Sequence, residues 1–160
     1  MTRRAAILVL TAAALLCWCL LAQADEPRWF KEVEPNDTLE QANMIEPYLF
    51  VYGGLEQEND VDYYQFSIPE PGTVELSFYV PLFYDEEPYW LITLFNSLSL
   101  EPVFSTTCAG FPNTAETYPL ELPAGDYHVR IEPYGSELGS RWSDLGYELL
   151  IFYTEDRPVG

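Results

Sequence analysis

Glu32, Glu34, Asn36 and Asp37 place four oxygen donors within the run Glu32-Val33-Glu34-Pro35-Asn36-Asp37-Thr38. Pro35 keeps the residue before it out of the helical region, and in an extended segment residues two apart share a face. Glu32, Glu34 and Asn36 are therefore expected to converge. A second run, Glu56-Gln57-Glu58-Asn59-Asp60-Val61-Asp62, sets Asp60 and Asp62 on one face in the same way. Hard oxygen donors without His or Cys select Ca²⁺ over zinc or copper. The spacing is not that of an EF-hand, because the sixth position from Glu32 is Asp37 where Gly is needed, and the twelfth is Asn43 where a bidentate Glu is needed. On spacing alone, a solvated acidic surface accounts for the same residues.

Other chemistries fare worse. His128 is the single histidine, which excludes HExxH zinc sites and any two-histidine metal site. Between Tyr127 and Val129 it occupies an outward strand position, as an ordinary surface histidine would. No GxSxG elbow accompanies a serine, since Gly135-Ser136-Glu137-Leu138-Gly139 has the wrong spacing. Cys108 has no basic neighbour to activate it and reads as a buried or idle thiol. Carboxylate pairs are harder to exclude, because 26 acids guarantee some pair at the roughly 5–10 Å used by glycosidases. No catalytic residue is assigned, and a small envelope carboxylate-dependent hydrolase stands as the alternative function.

The elements that must position these residues are strands. Val74, Leu76, Phe78 and Val80 alternate with Glu75, Ser77 and Tyr79, and the same period of two recurs at Tyr64–Ile68, Tyr127–Ile131 and Tyr147–Tyr153. Apolar runs near 48–52, 90–95, 100–104 and 118–122 bring the count to about eight short strands. Gly53-Gly54, Pro69-Glu70-Pro71-Gly72 and Pro123-Ala124-Gly125-Asp126 read as turns between them. Many short strands with Gly and Pro turns predict an all-β, jelly-roll-like antiparallel β-sandwich. Only Thr38–Asn43 looks helical, with Asp37 or Thr38 as cap and Gln41 in the capping-box position.

The run from Glu32 to Thr38, then Gly53-Gly54, Asp60-Val61-Asp62-Tyr63-Tyr64-Gln65-Phe66, Leu122-Pro123-Ala124-Gly125-Asp126-Tyr127-His128-Val129-Arg130 and Gly146-Tyr147-Glu148-Leu149 together resemble the bacterial pre-peptidase C-terminal domain. The collagen-binding domains of secreted bacterial collagenases are in the same group. The resemblance covers nearly all of residues 32–153. It implies a jelly-roll sandwich and, from the collagen-binding members, a Ca²⁺ site formed by Glu32, Glu34, Asn36 and Asp37 together with Asp60 and Asp62. Such domains are usually appended to a peptidase, and this sequence contains none.

The chain has 160 residues with 26 Asp and Glu against 7 Lys and Arg, for a net charge of −19. That charge repels phosphate backbones and argues against a nucleic-acid partner. With 48% hydrophobic and 16% aromatic residues the chain has ample material for a core, unlike an acidic disordered tail. Arg3 and Arg4, the apolar stretch from Ala5 to Leu21 and the small residues Ala22 and Ala24 form the layout of a secretory signal peptide. An uncleaved membrane anchor is the other reading of that stretch. The expected organisation is a leader over 1–24, an arm over 25–31, the sandwich over 32–154 and a tail over 155–160. Cleavage removes two of the three Cys, leaving Cys108 and no internal disulfide, while every carboxylate is exported.

These features predict a secreted or periplasmic, noncatalytic, calcium-stabilised module, no longer held in the membrane after cleavage, whose partner is an extracellular or envelope protein or polysaccharide. Trp29, Tyr84 and Trp142 fall in expected loops and are candidate contact residues. If the strands carrying Tyr64 and Val74 are adjacent, Tyr63, Gln65 and Ser67 lie beside Glu75, Ser77 and Tyr79 on one outward face. Tyr63 and Tyr79 then form a candidate recognition strip, or simply a cross-strand pair supporting the sheet. The leader gives the first prediction: signal peptidase reads Ala22 and Ala24, so the exported protein begins at Asp25, and intact-mass measurement showing a retained leader favours the anchor.

Overall fold

The structure is a computed structural model that describes residues 27–57, 59–80, 88–109, 114–116, 119–135 and 145–156. Its strands are β1 (Arg28–Lys31), β2 (Asn43–Met44), β3 (Leu49–Leu55), β4 (Asp62–Ile68), β5 (Gly72–Tyr79), β6 (Pro88–Asn96), β7 (Pro102–Ala109), β8 (Thr114–Glu116), β9 (Leu120–Leu122), β10 (Gly125–Pro133) and β11 (Leu145–Glu155). A six-stranded sheet has the order β1-β3-β11-β5-β8, with β9 also pairing β5, and a five-stranded sheet has the order β2-β4-β10-β6-β7.

The alternation seen in the sequence buries one face of each strand. Val51, Phe78, Tyr147 and Leu149 point inward from the first sheet, and Tyr64, Phe66, Trp90, Ile92 and Val129 from the second, into one core. Phe78 and Trp90 meet edge to face across the two sheets, ring centroids 6.2 Å apart. Each such side chain contributes about 1.5–3 kcal/mol of transfer free energy on burial. The chain is thus an all-β sandwich, as the sequence predicts, with Trp90 in its core.

Several local expectations change. Both sheets are mixed, because β1 runs parallel to β3 and β2 parallel to β4. The reason is the N-terminal segment, which leaves one sheet after β1 and joins the other at β2, so the expected arm is partly an edge strand. Gly53 and Gly54 lie inside β3 and make no turn. The expected helix shrinks to a single 3₁₀ turn at Leu39–Gln41; the Thr38 hydroxyl bonds Gln41 Oε1 at 3.2 Å instead of a backbone amide, and Asn43 belongs to β2. Trp29 sits in β1 and is exposed, whereas Tyr84, Trp142, Glu58 and the leader lie outside the described residues.

At the far side of the five-stranded sheet, β7 pairs with β6 alone. Its eight residues, Pro102–Ala109, carry no charge. Among the described residues, no other strand pairs with its outer edge.

The alternation sets a test on neighbouring residues of β5. Phe78→Ala should cost about 3–5 kcal/mol in urea denaturation, while Tyr79→Ala should stay within about 0.5–1 kcal/mol. Similar costs for the two would mean that the register of β5 is wrong.

Candidate metal centre

The chain leaves β1 at Lys31, and the Glu32 amide continues the ladder by donating to Tyr52 O at 3.0 Å. The next residue is clamped from both sides: Val33 N donates to Asn43 Oδ1 at 2.7 Å, and Asn43 Nδ2 donates back to Val33 O at 2.9 Å. With Val33 held, Glu32 and Glu34 are directed toward the start of β4. Asn36 N then donates to Glu34 Oε2 at 3.0 Å, and Tyr63 N donates to Asn36 O at 3.0 Å, which joins the acidic segment to β4. The Glu34–Pro35 peptide is cis.

Two groups of carboxylates result. Glu32, Glu34 and Asp62 form one, and Glu34, Asp37 and Asp60 the other, with oxygens in each group within 4.8 Å of one another. Glu34 is common to both. Asn36 and Asp62 are fully buried, so the first group is internal. The second opens into a cleft lined by Glu34, Pro35, Asp37, Glu56, Gln57 and Asp60. The structure brings the six candidate ligands together, but Asp60 and Asp62 divide between the two groups instead of serving one.

Neutral donors hold the internal group. Glu32 Oε1 accepts from Gly54 N at 2.6 Å, and its Oε2 accepts from the Tyr64 hydroxyl at 2.7 Å. The Tyr64 and Tyr147 hydroxyl oxygens lie 2.7 Å apart across the sandwich, and the Tyr147 hydroxyl donates to Asp62 Oδ2 at 2.5 Å. Gly53 makes this possible, because a Cβ there would lie 2.5 Å from the Tyr64 hydroxyl and 2.6 Å from Glu32 Oε2. Tyr64, Tyr147, Gly53 and Asn43 also shape this cluster, and the sequence analysis did not assign them to it. The available signal was a tyrosine at an interior strand position, whose hydroxyl needs a buried partner.

The electrostatics are one-sided. Burial, followed by the charge of Glu32, pushes the Asp62 carboxyl up to about 9. Burial also raises Glu32, Glu34 and Asp60, and the neighbouring Asp37 raises Asp60 further. Among the described residues the ion pairs are Arg28–Glu46 and Arg130–Glu132, neither of which touches this cluster. The Asn36 amide faces Glu34 and Asp62; with its nitrogen toward them it donates to Glu34 Oε2 at 2.8 Å and Asp62 Oδ1 at 3.3 Å. Turned the other way, its oxygen would face the same carboxylates, an arrangement that a bound cation would favour. The donor set, all oxygen and net negative, fits a hard divalent ion.

The remaining candidates lie elsewhere. Because β4 and β5 belong to opposite sheets, Tyr63 and Tyr79 face away from each other and form neither one strip nor a cross-strand pair. Consecutive strands in the chain cross from one layer to the other here. His128 does point outward from β10, but it is buried, not an ordinary surface residue: its ring stacks on Phe95 and its Nδ1 lies 2.8 Å from Ser97 Oγ. That burial lowers its pKa. Cys108 is buried, which raises its thiol to about 11.

No protein-family model matches the chain, and no curated protein matches it by sequence. Among solved structures it is similar to the pre-peptidase C-terminal domain of a collagenase from Bacillus anthracis, a 1.0 Å crystal structure, with a TM-score of 0.53 and 19% sequence identity. The match covers 75% of this chain and 99% of that one. The likeness is one of fold: the chain has a sandwich of the pre-peptidase C-terminal kind.

The raised carboxylates fix the sign of a pH effect. Asp62 holds its proton in the folded metal-free protein up to about 9 but releases it near 3.8 when unfolded, so its contribution is full below about pH 4 and is lost as pH rises toward 9. In chelator, the melting temperature should fall by about 5 °C or more between acidic and mildly alkaline buffer. Asp62→Asn should flatten that slope, and an unchanged slope in the variant would mean that Asp62 does not carry it.

Proposed function

We propose that the chain is a secreted, noncatalytic, Ca²⁺-stabilised binding module. The observation that carries this reading is the convergence of five carboxylates and a buried amide, drawn from two segments, with no ion pair to a basic side chain among the described residues. Ca²⁺ accepts six to eight oxygens in adaptable geometry. Glu32, Glu34, Asn36 and Asp62 would hold an ion in the internal group, and Glu34, Asp37 and Asp60 one at the cleft. An ion there neutralises the mutual repulsion and ties the N-terminal segment to β4, serving structure.

Burial of Asp62 supports the noncatalytic part of the reading. A carboxyl held protonated near neutral pH suits a general acid, yet Asp62 is sealed from any substrate by the two tyrosines and Asn36. Secretion follows from the leader-like first 24 residues, and the fold shared with a collagenase domain is consistent with a module that accompanies or binds other macromolecules.

The test is thermal unfolding with and without Ca²⁺. An ion that binds only the folded form adds about 2.7 kcal/mol at a hundredfold excess over Kd. Glu34→Ala should remove most of the shift, because Glu34 serves both groups, and Asp37→Ala should remove the cleft share. Tb³⁺ in place of Ca²⁺ should show luminescence sensitised by Tyr64 and Tyr147, reduced in the Tyr147→Phe variant. A melting temperature indifferent to chelator overturns the calcium reading. Turnover of peptides or glycans that disappears in Glu34→Gln overturns the noncatalytic one.

A further inference from the structure

The two outer faces of the sandwich differ in kind. On the five-stranded sheet Gln65, Ser67, Ser105 and Thr107 face outward, and the outward rings of Phe95 and His128 stack on each other and are buried, as is Thr93. On the six-stranded sheet, Trp29, Tyr52, Tyr79 and Phe152 face outward, with Tyr48 beside them, and all five are 41–58% exposed. A solvent-facing sheet surface is normally polar, and an exposed aromatic cluster of this extent marks an interaction site.

Strand register arranges these rings around carboxylates. In one row across the sheet Glu148 on β11 lies between Tyr52 on β3 and Tyr79 on β5. Four residues along β11, Phe152 lies opposite Glu75, and Tyr48 meets Phe152 edge to face. Between the two rows Leu150 sits half-buried opposite Ser77.

The rings are set in place before any partner arrives. The end of the Tyr52 ring lies over Gly146, where a Cβ would come within 3.0 Å of its hydroxyl, so the ring is laid across the sheet. Tyr48 has φ of 64°, in the left-handed region that a bulky residue rarely adopts. Its amide on Ile151 O and its hydroxyl on the Tyr153 carbonyl hold it there.

Charge selects the occupant. Among the described residues neither Glu148 nor Glu75 is in an ion pair, and Lys31, beside Tyr52 at the β1 edge, is the only cation in these rows. An ammonium or guanidinium group fits an aromatic face next to an unpaired carboxylate. The net charge of −19 repels acidic polymers and steers cationic ones toward the surface. We propose that the outward face of the six-stranded sheet docks an extended basic polypeptide segment of a partner protein, with cationic side chains at i and i+4 over Glu148 and Glu75 and an apolar one at i+2 over Leu150. An extended peptide places i and i+4 about 13 Å apart, the same interval that separates two rows four residues apart on a strand. This inference rests on the reading of the chain as a binding module and names its partner class.

The experiment is fluorescence titration, in about 0.15 M salt, of a labelled peptide containing Lys-Thr-Leu-Thr-Lys. Controls are the same peptide with Lys spaced i and i+3, and one with Glu replacing both Lys. The expected result is saturable binding of the first peptide only, weakened at least tenfold by Tyr52→Ser with Tyr79→Ser, which keep the charge, and by Glu75→Gln with Glu148→Gln, which keep the rings. Each variant is checked for an unchanged Ca²⁺-dependent melting shift, so that misfolding is not mistaken for lost contacts. Binding that ignores ring removal, equal binding of both Lys spacings, or no saturation up to about 1 mM overturns the proposal, as does binding of an insoluble neutral β-glucan that is lost in the ring variant without any peptide binding. In the last case the module reading survives with a different partner; hydrolytic turnover would remove the module reading itself.

Discussion

Asp62 and Glu32 face each other inside the sandwich with only tyrosine hydroxyls, a backbone amide and an asparagine to share their charge. Removing carboxylates from water without a counter-charge is among the more costly acts in folding, and much of the local architecture follows from limiting that cost. Gly53 lacks a side chain so that Tyr64 and Tyr147 can reach the carboxylates. Gly54 presents its amide to Glu32. Asn43 grips Val33 so that the glutamates on either side are aimed correctly. None of these contacts contributes a full positive charge.

The cluster also lies where the two sheets are joined. β1 belongs to one sheet and β2 to the other, and the acidic segment spans the gap between them. Tyr64 on β4 and Tyr147 on β11 span the same gap from inside. Whatever relieves the repulsion between the carboxylates therefore also strengthens the seam between the layers. The core packing around Phe78 and Trp90 adjoins that seam, the Phe78 ring centroid lying 5.0 Å from that of Tyr147, and sustains the rest of the sandwich.

What was legible in the sequence was local. The period of two at Val74, Leu76 and Phe78 fixed which side of β5 is buried, and the two acidic runs revealed their donors because each run is short. Alternation does not say which sheet a strand joins, which is why Tyr63 and Tyr79 were expected on one face and lie on opposite ones. Gly53-Gly54 was ambiguous because glycine marks both turns and close approach within strands. His128 occupied the outward position expected of it, but its cover, Phe95, comes from another strand. The Tyr64–Tyr147 contact joins residues 83 apart, a distance no local pattern reports.

The outer edge of β7, unpaired among the described residues, gives the large negative charge a second meaning. Eight uncharged residues on a strand whose outer edge pairs with no other strand among the described residues are a template for strand-to-strand association between molecules. The edge itself carries no lysine or aspartate to prevent this, so the task falls to long-range repulsion between whole molecules. Acid weakens that repulsion by protonating the same class of side chain whose protonation relaxes the buried cluster. Colloidal stability and conformational stability of the metal-free protein thus run in opposite directions with pH, and the conditions in which a single molecule is most comfortable are those in which a crowd of them is most prone to stick.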